Sequence, residues 1–240
     1  MYSADWPVPK HIKTLITTRD GGVSSAPYDS LNLGHHVEDD PQAVKENRSR
    51  LYQHLPGEPA WLQQVHGTVV VDANTAQSGI EADAVFSDSP AAVCAVMTAD
   101  CLPVLFTNVQ GTKVAAAHAG WKGLMEGVLE ATLSKFSGDD VIIAYLGPAI
   151  GPNAFEVGPE VRDGFIERNA DAESCFRASS NKGKWLGDMY ALARIRLLAQ
   201  GVKRIYGGME CTFTQEDKYF SYRRDGMTGR MASCIWIENQ

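Results

Sequence analysis

The stretch AVCAVMTADCLPVLF, positions 92–106, sets the reading of the whole chain. Runs 92–97 and 104–106 are short and apolar, with Val, Leu and Phe prominent, and a polar TAD and a Pro interrupt them, so they read as buried strands. Working outward, 69–71, 84–86 and 114–117 share this texture and are separated by Gly, Pro, Asn and Asp. Residues 61–118 therefore form the sheet-building middle. A helix is expected after Trp121, where Leu124, Val128, Leu129, Leu133 and Phe136 recur at helical spacing. Residues 141–146 then return as a buried strand, stopped by Gly147 and Pro148.

Ahead of the middle, 12–18 reads as a strand. The Gly, Ser, Asp and Asn of 19–34 mark a long loop, of the kind that often carries function. A helix is expected over 41–54, capped by Asp40 and opened by Pro41, with Val44, Leu51 and Leu55 as its apolar stripe. Behind the middle come helices at 159–168 and 188–200, the second with Leu192, Ile195 and Ala199 inward and Gly201 as its stop. Strands at 204–206 and 231–237 finish the chain. With no internal repeat and no Pro/Gly/Ser linker, the expectation is a single α+β domain over 1–240, mixed β-sheets flanked by helices.

A chain of 240 residues that is 44% hydrophobic and 21% charged can bury a full core. Its formal charge of -7 argues against general affinity for nucleic acid, which needs a concentrated basic face. No apolar run approaches the roughly 18 residues a membrane span needs. The polar, proline-containing start does not resemble a secretion signal, so the expected address is the cytoplasm. Five cysteines without a CxxC pair are not a disulfide framework; in a reducing compartment each is judged alone, and most are expected to be small buried hydrophobes.

Three segments each place one soft or borderline metal donor at the end of a β-like run beside Gly or Pro: QQVHG at His66, TADCLP at Cys101 and AAAHAGW at His118. Two imidazoles and a thiolate suit zinc, and three protein donors, rather than four, are the catalytic pattern. The same residues admit other readings. A lone His or Cys beside an apolar run is more often core packing. Cys101 as nucleophile with His118 as its base, oriented by Asp100, is a metal-free alternative.

Further ordered blocks accompany these: TTRDGGVSSAPYDSLNLG from Thr17, ENR ending at Arg48, EADAVFSD from Glu81, LGPAIGPNAFEVG from Leu146, ECTF from Glu210 and YFSYRRDGMTGR from Tyr219. Together they resemble the purine nucleoside phosphorylase family, also called laccase-domain or polyphenol oxidase proteins, over nearly the whole chain. The resemblance implies an α+β fold grouped with cysteine hydrolases, a cytoplasmic setting, and zinc held by His66, Cys101 and His118. It also implies phosphorolysis of adenosine, inosine and methylthioadenosine, together with adenosine deamination. Copper-dependent phenol oxidation and hydrolysis of a cell-wall precursor are other activities linked to the family. Six dispersed histidines argue against multicopper chemistry, though copper in the one site stays open.

Phosphorolysis needs cations for phosphate, and the candidates are Arg48 and Arg223 first, with Arg19, Arg224 and Arg230 behind them. Deamination needs a metal-activated water and a carboxylate to shuttle protons, Asp100 or Asp83. Trp121 is a candidate for stacking on the purine, against ordinary core packing. The expected partners are thus a small nucleoside and phosphate, with no nucleic acid or membrane; the oligomeric state is not readable.

Overall fold

The computed structural model describes residues 1–239, and its layout follows from which face each strand buries. The main sheet has six strands: β2 (Val70–Asp72), β3 (Ala84–Ser87), β5 (Leu102–Asn108), β6 (Val114–Ala119), β7 (Ile142–Leu146) and β11 (Arg204–Gly207), in the order β11-β7-β5-β6-β3-β2. β5 and β6 form its centre, antiparallel, with Pro103 opposite His118. β11 and β2 pair parallel to β7 and β3 at the two edges. A second sheet runs β1 (Ile12–Ile16), β12 (Met231–Ile237), β4 (Cys94–Thr98), all antiparallel.

Strands buried on both faces read as continuous apolar runs. On the main sheet Leu102, Val104 and Phe106 pack toward helices α2 (Trp121–Glu126), α3 (Val128–Leu133), α4 (Pro159–Arg168) and α5 (Met189–Ala199), meeting Leu124, Leu129, Val161 and Leu192. Leu105 and Ala116 face the other way, against Cys94, Val96 and Ile235 of the second sheet. That sheet's outer face, Val93, Ala95, Met97 and Cys234, is covered by Leu31, Leu33 and Trp61 and by Leu51 of α1 (Pro41–Tyr52). The result is one α+β domain with two sheets between helical layers. Each fully buried Leu of this kind contributes about 1.5–3 kcal/mol of transfer free energy.

Expected elements mostly appear: β1, α1 and α5 are shorter than the 12–18, 41–54 and 188–200 expected, while β3, β5, β6 and β11 run further. Asp40 caps α1 through its side chain to the Gln42 N–H. The single helix expected after Trp121 is broken, because Gly127 takes a left-handed φ of 108° and ends α2 as it begins α3. A small antiparallel sheet, β8 (Glu156–Val157), β10 (Trp185–Gly187) and β9 (Phe176–Ala178), was not expected. Its strands of two and three residues are too short to show alternation. The loop after β1 is ordered by buried Asn47 of α1, whose amide group bonds Val23 N, Ser24 Oγ, Ser30 O and Asn32 O at 2.8–3.0 Å. No described helix is long and apolar enough to cross a membrane.

Candidate metal centre

The chain leaves the second sheet at Thr98 and enters the main sheet at Leu102, so Ala99–Asp100–Cys101 crosses the seam between them. Asp100 makes the crossing with a φ of 88°, fixed by its side chain: Thr212 Oγ1 donates to Oδ1 at 2.6 Å and the Arg223 N–H to Oδ2 at 2.7 Å. His118 lies on β6 at period-two spacing from Val114 and Ala116, so it points into the same seam. His66 comes from the connection before β2 and holds a φ of 60°. All three donors meet at one end of the seam.

One carboxylate positions two of them. Asp83, fully buried just ahead of β3, accepts the Val65, His66 and Gly67 N–H groups at 3.2, 2.9 and 2.7 Å. It also accepts a hydrogen bond from His118 Nδ1–H at 2.8 Å. Burial alone would raise its pKa, but the His118 and backbone hydrogen bonds prevail and lower it. With Nδ1 so engaged, His118 Nε2 is the nitrogen left for a metal.

The Cys101 sulfur stands 3.7 Å from His66 Nε2, and the three donor atoms lie within 4.8 Å of one another. A tetrahedral zinc holds sulfur and nitrogen about 3.6 Å apart, from bond lengths of about 2.3 and 2.05 Å, so the set fits one ion with little movement. Gly120 keeps that space: a Cβ there would lie 2.5 Å from His66 Cδ2 and 3.2 Å from the Cys101 sulfur. Burial would raise the Cys101 pKa, yet His118 and His66 bring it down; burial would lower that of His118, yet Cys101 and Asp83 raise it. A thiolate facing an imidazolium is the outcome. Buried Cys94 and Cys234 lack such neighbours, and burial raises both.

The donors open on a cavity of about 820 Å³. Arg48, Arg230, His35 and His36 supply its basic side, with Trp61, Met97 and Tyr222 as apolar and aromatic wall. No Asp or Glu lines it among the described residues. Arg48 is thus at the cavity, as expected of a substrate-binding residue, whereas Arg223 and Trp121 are not in its lining. Arg223 donates from Nη1 to the Glu156 carbonyl at 2.8 Å, and Trp121 is exposed at the start of α2. Asp100, expected beside the imidazole, is committed to Thr212 and Arg223; Asp83 occupies that position. His35, His36 and Tyr222 were not singled out from sequence. The adjacent pair of imidazoles directly after the NLG block was the available signal.

A model of the family described as multi-copper polyphenol oxidoreductase laccase matches residues 13–238. A purine nucleoside phosphorylase of Pseudomonas aeruginosa is 54% identical over 98% of this chain and 97% of its own length. The purine nucleoside phosphorylase YfiH of Escherichia coli is likewise 54% identical, over 97% of this chain and 96% of its own. Among solved structures, a Neisseria meningitidis protein superposes with a TM-score of 0.95 at 53% identity, covering 99% of both chains. YlmD of Geobacillus stearothermophilus gives 0.85 at 32%, covering 96% of this chain and 93% of its own.

Proposed function

We propose, from the premise that this chain belongs to the multi-copper polyphenol oxidoreductase laccase family, that it is a zinc-dependent purine nucleoside phosphorylase. Its substrates are adenosine, inosine and methylthioadenosine, with adenosine deamination as a second activity of the same cavity. The names of the relatives support the first activity. The observation that carries it is the cavity wall, which joins the three soft donors to two arginines and contains no carboxylate among the described residues. Such a wall suits an anionic attacking group.

In phosphorolysis a phosphate oxygen bonds to the ribose C1′ as the C1′–N9 bond breaks. The bonding pair leaves with the purine, which takes up a proton from phosphate or solvent. Zinc, when bound, supplies Lewis acidity at His66, Cys101 and His118. Tyr222, exposed at the cavity, offers an aromatic face to the base, and buried Trp61 supports Arg48 from beneath. Asp83 holds the His118 ring in one tautomer throughout. For deamination the groups available to carry protons are His36 and Tyr222, because Asp83 and Asp100 are fully engaged elsewhere. The setting proposed is the cytoplasm, consistent with five free cysteines.

Zinc-loaded protein should consume inosine only when phosphate is present and release ribose 1-phosphate. No conversion of any nucleoside, with or without phosphate, would end this reading. The Cys101–His118–Asp83 arrangement also favours a second one, a cysteine hydrolase acting on an amide. That enzyme would survive chelation and die on alkylation. His66, 3.7 Å from the sulfur, has no part in such a triad and a clear one in a metal site.

A further inference from the structure

We propose that residues 33–36 bind Arg48 and Arg230 into a subsite for a tetrahedral oxyanion, inorganic phosphate in the reaction above, with His36 as its third wall. The inference rests on the phosphorylase reading for the identity of the anion and on geometry for its place.

Arg48 and Arg230 are both partly buried, and neither meets a carboxylate within ion-pair distance among the described residues. Among the half-buried arginines, Arg19, Arg50, Arg162, Arg196 and Arg224 meet a carboxylate and Arg48, Arg194 and Arg230 do not, but Arg194 spends Nη1 and Nη2 on the Ile205 and Gly207 carbonyls. Carboxylates outnumber basic side chains, 29 to 22, so two arginines left without one in a single cavity are not explained by scarcity. Burial lowers the pKa of both, the mark of a charge held away from water at a cost. An anionic ligand removes that cost on binding.

The same short segment holds the Arg48 guanidinium and the Arg230 backbone, and the Arg230 guanidinium is then set by the Thr228 and Gly229 carbonyls. Arg48 Nε donates to the Leu33 carbonyl at 2.9 Å, and the Leu33 N–H donates to the Arg230 carbonyl at 3.1 Å. Asn32 Oδ1 accepts from the Arg230 and Gly34 N–H groups, both at 2.9 Å. Gly34 then lets Arg230 and His36 close in: a Cβ there would stand 2.9 Å from Arg230 Cγ and 3.4 Å from His36 Cε1. Each guanidinium also lies over an aromatic ring, Arg48 at 4.4 Å from the Trp61 centroid and Arg230 at 5.8 Å from that of Tyr222. Arg230 spends Nη1 on the Thr228 and Gly229 carbonyls and keeps Nε and Nη2 for a ligand, while Arg48, anchored by Leu33 and beside the Tyr52 hydroxyl, adds a second guanidinium charge. A free fork with a second fixed cation suits a phosphate with several acceptor oxygens.

The test is calorimetric binding of inorganic phosphate alone to the zinc-loaded full chain, with zinc content and thermal unfolding measured on each sample. Wild type should bind; Arg48→Gln and Arg230→Gln should each weaken binding about tenfold or more at unchanged zinc content. Gly34→Ala should weaken it through displacement of Arg230 and His36. Arg223→Gln should bind as wild type. Should Arg48→Gln fail to fold, Arg48→Lys keeps the charge and the stem over Trp61 but loses the anchored guanidinium, and should bind more weakly than wild type. Equal binding by wild type and the folded arginine variants, or no phosphate binding by wild type, overturns the subsite. Binding lost as described, in a protein that turns over no nucleoside, upholds the subsite and overturns the phosphorylase reading.

Discussion

Replacing Asp83 by Asn leaves the size of the side chain unchanged and removes the one group that orients both imidazole donors. The carboxylate accepts four hydrogen bonds, His66 N and His118 Nδ1 on Oδ1, Val65 N and Gly67 N on Oδ2. An amide presents one oxygen and one NH2, so either orientation sets the NH2 against two donors. A fully buried unmet donor costs about 1–3 kcal/mol. Only the His118 donor is fully buried, the Val65, His66 and Gly67 contacts being part-buried, so the loss of stability in the metal-free protein should be about 1–3 kcal/mol. If the NH2 faces His118, the ring can answer only by moving its proton to Nε2, the nitrogen a metal needs. If it faces Val65 and Gly67, the turn carrying His66 loosens. Either way zinc affinity should fall by about 10–100-fold, or about 1.4–2.8 kcal/mol.

The assay is competition with a chromophoric chelator on folded Asp83→Asn and wild type, paired with unfolding midpoints in excess chelator. Because the Asp83 pKa is lowered, its stabilisation is complete above the ordinary carboxylate value of 3.8 and is lost as the pH falls through the lowered one. The wild-type advantage should therefore persist from neutral pH into mild acid. Folded Asp83→Asn that holds zinc as tightly as wild type would refute the orienting role.

Gly120→Ala should fold, since Gly120 has an ordinary φ of -62°, yet its Cβ would strike His66 and the Cys101 sulfur. Chelator competition should show at least a tenfold loss of zinc affinity with an unfolding midpoint in chelator close to wild type. In metal-free protein, alkylation of Cys101 should stay fast at neutral pH and slow only as the pH falls through the lowered pKa of its thiol. Zinc should protect it; a rate that climbs only above pH 9 would contradict the thiolate–imidazolium pair. Leu105→Ala, between the two sheets, should destabilise by about 2–5 kcal/mol in denaturant titration without altering zinc stoichiometry.

Much of this site is legible in the sequence because its donors sit at strand ends, and strand ends are marked by abrupt changes in texture. β5 and β6 read directly, buried on both faces and punctuated by Pro103 and Gly120. Less visible is that 92–97 and 104–106, neighbours in sequence, belong to different sheets. Only the crossing at Asp100, stabilised by Thr212 and Arg223 from far along the chain, separates them. The same long-range contacts explain why Asp100, adjacent to Cys101, does not serve His118, while Asp83, distant in sequence, does. Sequence adjacency favoured the wrong carboxylate for that task because β3 and β6 bring theirs together by pairing, Ala84 against Ala117. Arg48 and Arg230 come together in the same way, through Leu33, which nothing local announces.

X-ray absorption at the zinc K-edge of the purified, zinc-loaded chain tests the metal centre most directly. The arrangement of His66, Cys101 and His118 predicts one sulfur at about 2.3 Å, two imidazole nitrogens at about 2.05 Å, and loss of the sulfur shell in Cys101→Ala. A spectrum without sulfur, or one unchanged by Cys101→Ala, would contradict it.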